Sequence, residues 1–347
     1  MNILLPIAGK SLRFPNMRPK WLLTNPNGNL MLVDSISDFE TDNIENIFVI
    51  YVREHEIKYK FKRGIIENFE KYNLHNKINF IELNDFTKDQ VETIEYGLKN
   101  INKNIPILIK DCDNKFYFDI SKLNKNYICY SLLNDNISAI GKSYITLDEF
   151  NIITNIVEKK IISNTFCCGG YFFKNSNDFL NFTFDADNRY ISDIIFNMML
   201  NNNHFEGIKV NDYVDWGDIK CWNEFRNKYH TIFIDLDGVL FKNSSVYLPP
   251  YIGESEPMVN NINFINKLNK NKIQIILTTS RPEKYRKKTE QQLSNNLIKY
   301  DYLLMGLQHS TRLIVNDFSN SNPYKTCESI NIKRNDDSLE EYLNNLL

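Results

Sequence analysis

The chain has no apolar run near the ~18 residues that a membrane-spanning helix needs, which excludes a helical span. Met1 to Gly9 shows neither the basic start nor the long apolar stretch of a signal peptide, so the expected location is the cytoplasm. There is no surplus of positive charge. Lys and Arg number 41 against 43 Asp and Glu, a net charge of -2, so no global field exists to hold nucleic acid or an anionic membrane. Neither is expected as a partner. The six cysteines form no C-x-x-C pair and the five histidines no metal-ligand spacing, which leaves a zinc site or a disulfide framework without support. With only 12 Gly and 10 Pro, no internal repeat and no Gly/Ser-rich or Pro-rich linker, low-complexity and collagen-like classes are excluded as well.

What is present is a folded chain of 347 residues, 42% hydrophobic and 24% charged. At roughly 150 residues per domain this length predicts about two cores. The aromatic residues, 13% of the chain, fall mostly in apolar runs at strand or helix period and read as core rather than as a base-stacking surface. Asn2 to Pro6, Asn46 to Val52, Lys77 to Leu83 and Pro106 to Lys110 read as strands. A helix is expected from Thr87, where Thr87-Lys88-Asp89-Gln90 has the form of a capping box and Val91, Ile94, Leu98 and Ile101 share one face. Alternation of this kind predicts an α/β fold with a mostly parallel sheet. The pattern restarts near residue 230 with the strand Thr231 to Ile234. A helical stripe follows at Met258, Ile262, Ile265 and Leu268, then a strand at Lys272 to Leu277, a helix at Thr289 to Ile298 and a buried strand at Leu313 to Val315. The expected division is 1–228 and 229–347.

The first strand runs into Leu5-Pro6-Ile7-Ala8-Gly9-Lys10-Ser11-Leu12-Arg13, followed by Arg18-Pro19-Lys20. A small-residue turn at the carboxyl edge of a parallel sheet lets backbone N–H groups approach phosphate, and Arg13 and Lys20 would stabilise the charge that builds there. The segment resembles the signature of sugar-phosphate nucleotidyltransferases, with Lys10 and Ser11 where relatives often carry glycine. The resemblance continues at four further places. Lys110-Asp111-Cys112-Asp113-Asn114 is similar to the family's acidic turn, with Asp113 matched to the metal-binding acid and Asp111 as runner-up. Glu158-Lys159 is similar to the pair that contacts the sugar and its phosphate, followed by Gly169-Gly170, and Val214-Asp215-Trp216-Gly217-Asp218 resembles the late turn whose Asp completes the metal site. Gln90 falls where the family often places a base-contacting amide, and the capping box is its other reading.

The resemblance implies a Rossmann-like mixed sheet and a reaction between an NTP and a sugar or polyol phosphate, with release of pyrophosphate. Mg²⁺ held by Asp113 and Asp215 is the implied cofactor. Ala8, Gly9, Ser11, Gln90, Glu158 and Gly170 would bind substrate, while Arg13, Lys20 and Lys159 would act on the phosphates. CTP and UTP are both open, and a homo-oligomer is compatible with the sequence.

A second constellation follows the strand near residue 230. Asp235-Leu236-Asp237-Gly238-Val239-Leu240 places two carboxylates on one side of a strand end. One Asp could attack phosphorus and the other move the proton. This resembles the first motif of the haloacid dehalogenase superfamily. Leu277-Thr278-Thr279-Ser280-Arg281-Pro282 is similar to its second motif, with Thr279 favoured over Thr278 as the phosphoryl-binding hydroxyl. Arg312 matches the basic third motif, where Lys is more usual, and Asp317 matches the fourth-motif acid, so that Asp235, Asp237 and Asp317 would hold Mg²⁺. Too few residues separate these motifs for a large cap domain. The resulting expectation is a bifunctional enzyme, with a nucleotidyltransferase followed by a capless phosphatase acting on a phosphorylated sugar for capsule or surface-glycan synthesis. Two other readings stay open, a catalytically silent regulatory second domain and a non-catalytic sensor.

Overall fold

A computed structural model describes residues 1–101, 104–134, 137, 139–268, 270–317 and 326–344. The chain divides into two units, Met1–Trp222 and Asn223–Leu347, a few residues before the expected boundary. A helix, Ile219–Arg226, runs through the division, which is why no linker composition marks it.

The first unit contains strands β1 (Asn2–Pro6), β2 (Asn46–Val52), β3 (Ile78–Leu83), β4 (Ile107–Lys110), β5 (Asn114–Tyr117), β6 (Tyr127–Leu132), β7 (Ser143–Leu147), β8 (Ile153–Glu158), β9 (Thr165–Phe173), β10 (Glu206–Lys209) and β11 (Asn211–Asp215). Its helices are α1 (Met31–Asp34), α2 (Arg53–Tyr59), α3 (Lys62–Glu70), α4 (Gln90–Ile101), α5 (Ser176–Asn181), α6 (Ile191–Leu200) and α7 (Ile219–Arg226). The main sheet has the order β10-β6-β9-β4-β1-β2-β3, with β7 and β8 joined to it at β9. Strands β4, β1, β2 and β3 are parallel. The long strand β9 runs antiparallel to both β4 and β6, so the sheet is mixed rather than mostly parallel.

Alternation along β1 sends Ile3 and Leu5 into one core and Leu4 into another. Helix α3 covers the first face with Ile65 and Phe69, and α4 covers the second with Val91, Ile94 and Leu98. Gly97 lets α4 lie close to β2, because a Cβ there would sit 2.9 Å from Ile50 Cγ1. The start of α4 corrects the expected cap. Asp89, not Thr87, accepts from the backbone of Glu92 at 2.7 Å, which leaves the Gln90 side chain outside the capping arrangement.

The second unit has strands β12 (His230–Asp235), β13 (Ile273–Thr278) and β14 (Tyr302–Leu304), parallel in that order, with helices α8 (Val259–Lys267), α9 (Arg286–Asn295) and α10 (Leu339–Leu343). Its core joins Ile234, Leu236 and Leu277 to Ile262 and Ile265 of α8, Leu293 of α9 and Leu339 of α10. Helix α9 begins at Arg286, earlier than the expected Thr289. The expected buried strand at Leu313 to Val315 is not formed. These residues are irregular and exposed, Val315 at 90%, and among the described residues β12 pairs with β13 alone, so no ladder draws the short apolar stretch inward.

Candidate active site

The loop after β1 closes on itself. Ser11 adopts a left-handed φ of 51°, Phe14 N donates to Ser11 O at 2.9 Å, and the Ser11 hydroxyl accepts from Lys20 N at 3.2 Å. Ala8 is buried, whereas a Cβ built on Gly9 would meet nothing within 4 Å, so the space over the Gly9 backbone is open. Lys20 and Arg13 then converge on one oxygen. The Lys20 ammonium donates to Asp113 Oδ2, and Arg13 Nη2 reaches the same atom at 3.4 Å.

Asp113 stands in the turn between β4 and β5. The turn is pinned from beneath by Lys110, which has no exposed surface and donates to Asp111 O at 2.6 Å, Asn114 O at 3.0 Å and Asn114 Oδ1 at 2.5 Å. Burial pulls the Lys110 pKa down to about 8 against the charges of Asp111 and Asp113. For Asp113, burial works upward, yet Lys20 and Arg13 hold the carboxyl well below the usual carboxylate range. Asp111 goes the other way, raised to about 6 by burial and by the neighbouring Asp113 charge. Its Oδ1 accepts from Gln90 Nε2 at 2.5 Å.

Strand β11 brings the late acidic turn alongside. Asp215 is the register partner of Asn114, and Trp216 N donates to Asp113 O at 2.8 Å. A Cβ built on Gly217 would lie 3.0 Å from Asp215 Oδ1, 3.4 Å from Arg13 Nη1 and 3.6 Å from Asp113 Oδ2, so both carboxylates and the guanidinium face the same small space. Lys142 donates to Asp215 Oδ2 at 2.6 Å and to the Tyr213 hydroxyl at 3.1 Å. Arg13, Lys20, Asp113 and Asp215 are thus brought together, with Gln90 beside Asp111.

Glu158 and Lys159 sit at the end of β8. Glu158 Oε2 accepts from the hydroxyls of Ser143 and, at 2.8 Å, Ser192. Lys159 has a left-handed φ of 55°, its N–H donates to Lys142 O at 3.0 Å, and its ammonium meets the Tyr190 hydroxyl 4.1 Å from the ring centroid. Gly170 lies inside β9, where a Cβ would be 2.8 Å from Phe116 Cζ and 2.9 Å from Cys129 Sγ. Packing against Phe116 and Cys129 thus leaves no room for a side chain at this position.

Sequence reasoning missed Lys142, Lys110 and Tyr190. Lys110 carried a usable signal, a lysine closing an apolar strand directly before an acidic turn. Lys142 carried none, because its partner Asp215 is 73 residues away.

Among the described residues no three His, Cys, Asp or Glu side chains form a metal cluster. In the first unit Asp113 and Asp215 face one small space with the oxygen chemistry that a hard cation such as Mg²⁺ takes, and each is here paired with cations of the chain, Asp113 with Lys20 and Arg13 and Asp215 with Lys142.

In the second unit Asp235 ends β12, and Arg312 Nη2 lies 3.3 Å from its Oδ1. Burial foremost raises the Asp235 pKa against the pull of Arg312. Asp237 is held on both oxygens by Arg281, with Nε to Oδ2 and Nη2 to Oδ1 each at 2.8 Å. It also accepts from Ser244 at 2.7 Å and from Thr279 at 3.2 Å. The Thr278 hydroxyl instead donates to Ile234 O at 3.3 Å. Asp317 lies on the exposed irregular stretch, its backbone carbonyl accepting from Thr326 at 2.8 Å. The expected set of Asp235, Asp237 and Asp317 is therefore not assembled. Arg312 of the same stretch does reach the end of β12, but among the described residues Asp317 joins no cluster of three such side chains with Asp235 and Asp237.

The sequence matches no protein-family model and no curated protein. Solved structures do match. A nucleoside-diphosphate-sugar pyrophosphorylase from Vibrio cholerae RC9 superposes with a TM-score of 0.53 at 19% identity, over 64% of this chain and 98% of that one. A UDP-glucose pyrophosphorylase complexed with UDP-glucose gives 0.53 at 15% identity, over 65% of this chain and 97% of that one. An inositol-1-phosphate CTP transferase from T. maritima gives 0.50 at 13% identity, covering 65% and 94%. About two-thirds of the chain thus carries the mixed α/β fold of sugar-phosphate nucleotidyltransferases. No helix among the described residues is long and apolar enough to cross a membrane.

Proposed function

We propose that the first unit transfers a nucleotidyl group from an NTP to a sugar or polyol phosphate. A phosphate oxygen of the acceptor attacks the α-phosphorus, the bond to the β-phosphate oxygen breaks, and pyrophosphate leaves with that electron pair. The observation that carries the reading is the convergence of Arg13, Lys20, Asp113 and Asp215 beyond the end of β1, in a fold like that of known pyrophosphorylases. Asp113 and Asp215 would hold Mg²⁺, which supplies neutralising charge to the phosphates when bound. Lys20 and Arg13 stabilise the negative charge on the reacting phosphates, and the open backbone at Gly9 admits them closely. Gln90 stands on the side of the nucleotide, Glu158 and Lys159 on that of the acceptor. CTP and UTP are the candidate nucleotides.

The second unit is proposed as a phosphomonoester hydrolase of the haloacid dehalogenase kind acting on a phosphorylated sugar, with Asp235 as nucleophile beside Arg312 and with Asp237 and Thr279 next to it. Both activities would serve an activated sugar for capsule or another surface glycan. Two observations favour a catalytically silent second unit instead: Asp237 is engaged on both oxygens by Arg281, and among the described residues Asp317 forms no cluster with the other acids.

The test is a matrix of four NTPs against phosphorylated sugars and polyols with Mg²⁺, reading pyrophosphate and inorganic phosphate separately. Pyrophosphate from at least one pair, abolished by EDTA and restored by excess Mg²⁺, is the expected result. No pyrophosphate from any pair overturns the reading, and pyrophosphate without phosphate assigns the second unit to the silent form.

A further inference from the structure

Three of the four residues 189–192 at the entry to α6 hold separate parts of the first unit. Arg189 is buried and binds Asp89 through Nε at 3.1 Å and Nη2 at 3.3 Å, Glu95 through Nη2 at 3.1 Å and Phe184 O through Nη1 at 2.9 Å. The Arg189 backbone N–H adds a bond to Asp89 Oδ2 at 3.1 Å. Asp89 in turn caps α4 and immediately precedes Gln90. The next residue, Tyr190, meets the Lys159 ammonium with its hydroxyl, and its own backbone is fixed by Asp193 at 2.9 Å. Two residues further, Ser192 donates to Glu158 at 2.8 Å. Segment 189–192 therefore ties the helix end that carries Gln90 to the Glu158–Lys159 pair.

On the proposed reading, these two places face different substrates. We infer that Arg189 is a positioning residue which, acting through Tyr190 and Ser192, sets the Glu158–Lys159 pair relative to Gln90, and that Tyr190 decides how tightly the acceptor phosphate is held. The physical ground is preorganisation. Lys159 is a long, flexible cation, and the Tyr190 hydroxyl and ring restrict its rotamers before substrate arrives. A guanidinium is required at 189 because its planar fork reaches Asp89, Glu95 and a carbonyl together, which a single ammonium cannot span.

The experiment uses the full chain, with the NTP and acceptor pair that releases most pyrophosphate in the matrix above. Tyr190→Phe keeps the ring and removes the hydroxyl. It is expected to raise the KM for the acceptor by ~10-fold, with kcat and the KM for the NTP within ~2-fold, because only uniform binding of one substrate is lost. Ser192→Ala, acting on Glu158, is expected to shift the same constant. Arg189→Lys is expected to raise both KM values, since it frees the segment from the helix end that carries Gln90. If Tyr190→Phe and Ser192→Ala leave the acceptor KM unmoved, or lower only the thermal midpoint, the inference is overturned while the functional reading stands. If the unmodified protein releases no pyrophosphate from any pair, the reading fails and takes the inference with it.

Discussion

At Asp113 one carboxylate oxygen carries two cations that differ in exposure: the Lys20 side chain is 16% exposed and that of Arg13 64%. The buried charge acts through less solvent, so its removal costs more. Lys20→Met is expected to lower kcat/KM for pyrophosphate release by at least ~100-fold, and Arg13→Met by ~10-fold, in steady-state assays. A second buried carboxylate, Asp34, has a structural part. Burial works to raise its pKa, but Lys115 and the amides of Asn25 and Asn27 outweigh it, and the folded value lies below the ordinary 3.8. A depressed folded value means that the unfolded chain takes up the proton first. The stabilisation is present above 3.8 and is lost as pH falls through the folded pKa. Asp34→Asn is expected to be less stable than the parent near neutrality, with the gap narrowing below about pH 4. Urea unfolding at several pH values checks the sign.

At the scale of elements, close approach of α4 to β2 places both the Gln90 end of the helix and the end of β1, and this approach depends on Gly97. Alanine is the better helix former by ~1 kcal/mol, but its methyl group would run into Ile50. Overpacking of this kind costs about 1–3 kcal/mol, so Gly97→Ala is expected to be destabilised on balance by chemical unfolding, with helix content retained. Strand β9 has the larger architectural effect. Buried along all nine residues and antiparallel to β4, β6 and β7, it joins the parallel half of the sheet to β6 and β10 and holds the β7–β8 pair beside them.

For the molecule as a whole, the two units carry separate acid constellations, and they are separable by mutation. On the hydrolase reading of the second unit, Asp235→Asn is expected to abolish release of inorganic phosphate from a phosphorylated sugar while release of pyrophosphate persists unchanged; no phosphate release by the wild type is the outcome for the silent form. Parallel assays of both products in wild type and variant read this directly. Loss of pyrophosphate release in the same variant would contradict the assignment of the two chemistries to separate units.

How much of this was legible follows from how each feature is encoded. Strand β1 and the small-residue turn after it are legible in an apolar run and its turn residues, whereas Asp113 and Asp215 are picked out by the resemblance of their turns to nucleotidyltransferase motifs. The reversed direction of β9 was not legible, since a continuous apolar run reads the same in either direction. The cap of α4 was misplaced by two residues because Thr87 and Asp89 both suit the position, and the carboxylate that also meets Arg189 took it. Leu313 to Val315 was read as a strand from β-branched residues, but a strand forms only where a ladder partner is offered.

By itself the sequence determined most of the element types and the division into two units, because alternation, apolar period and local turn residues act over a few positions. Only the tertiary structure decided which charges meet. Lys142 finds Asp215 across 73 residues and Arg189 finds Asp89 across 100, and ion pairs at such separations depend on where the sheet sets the ends of its strands.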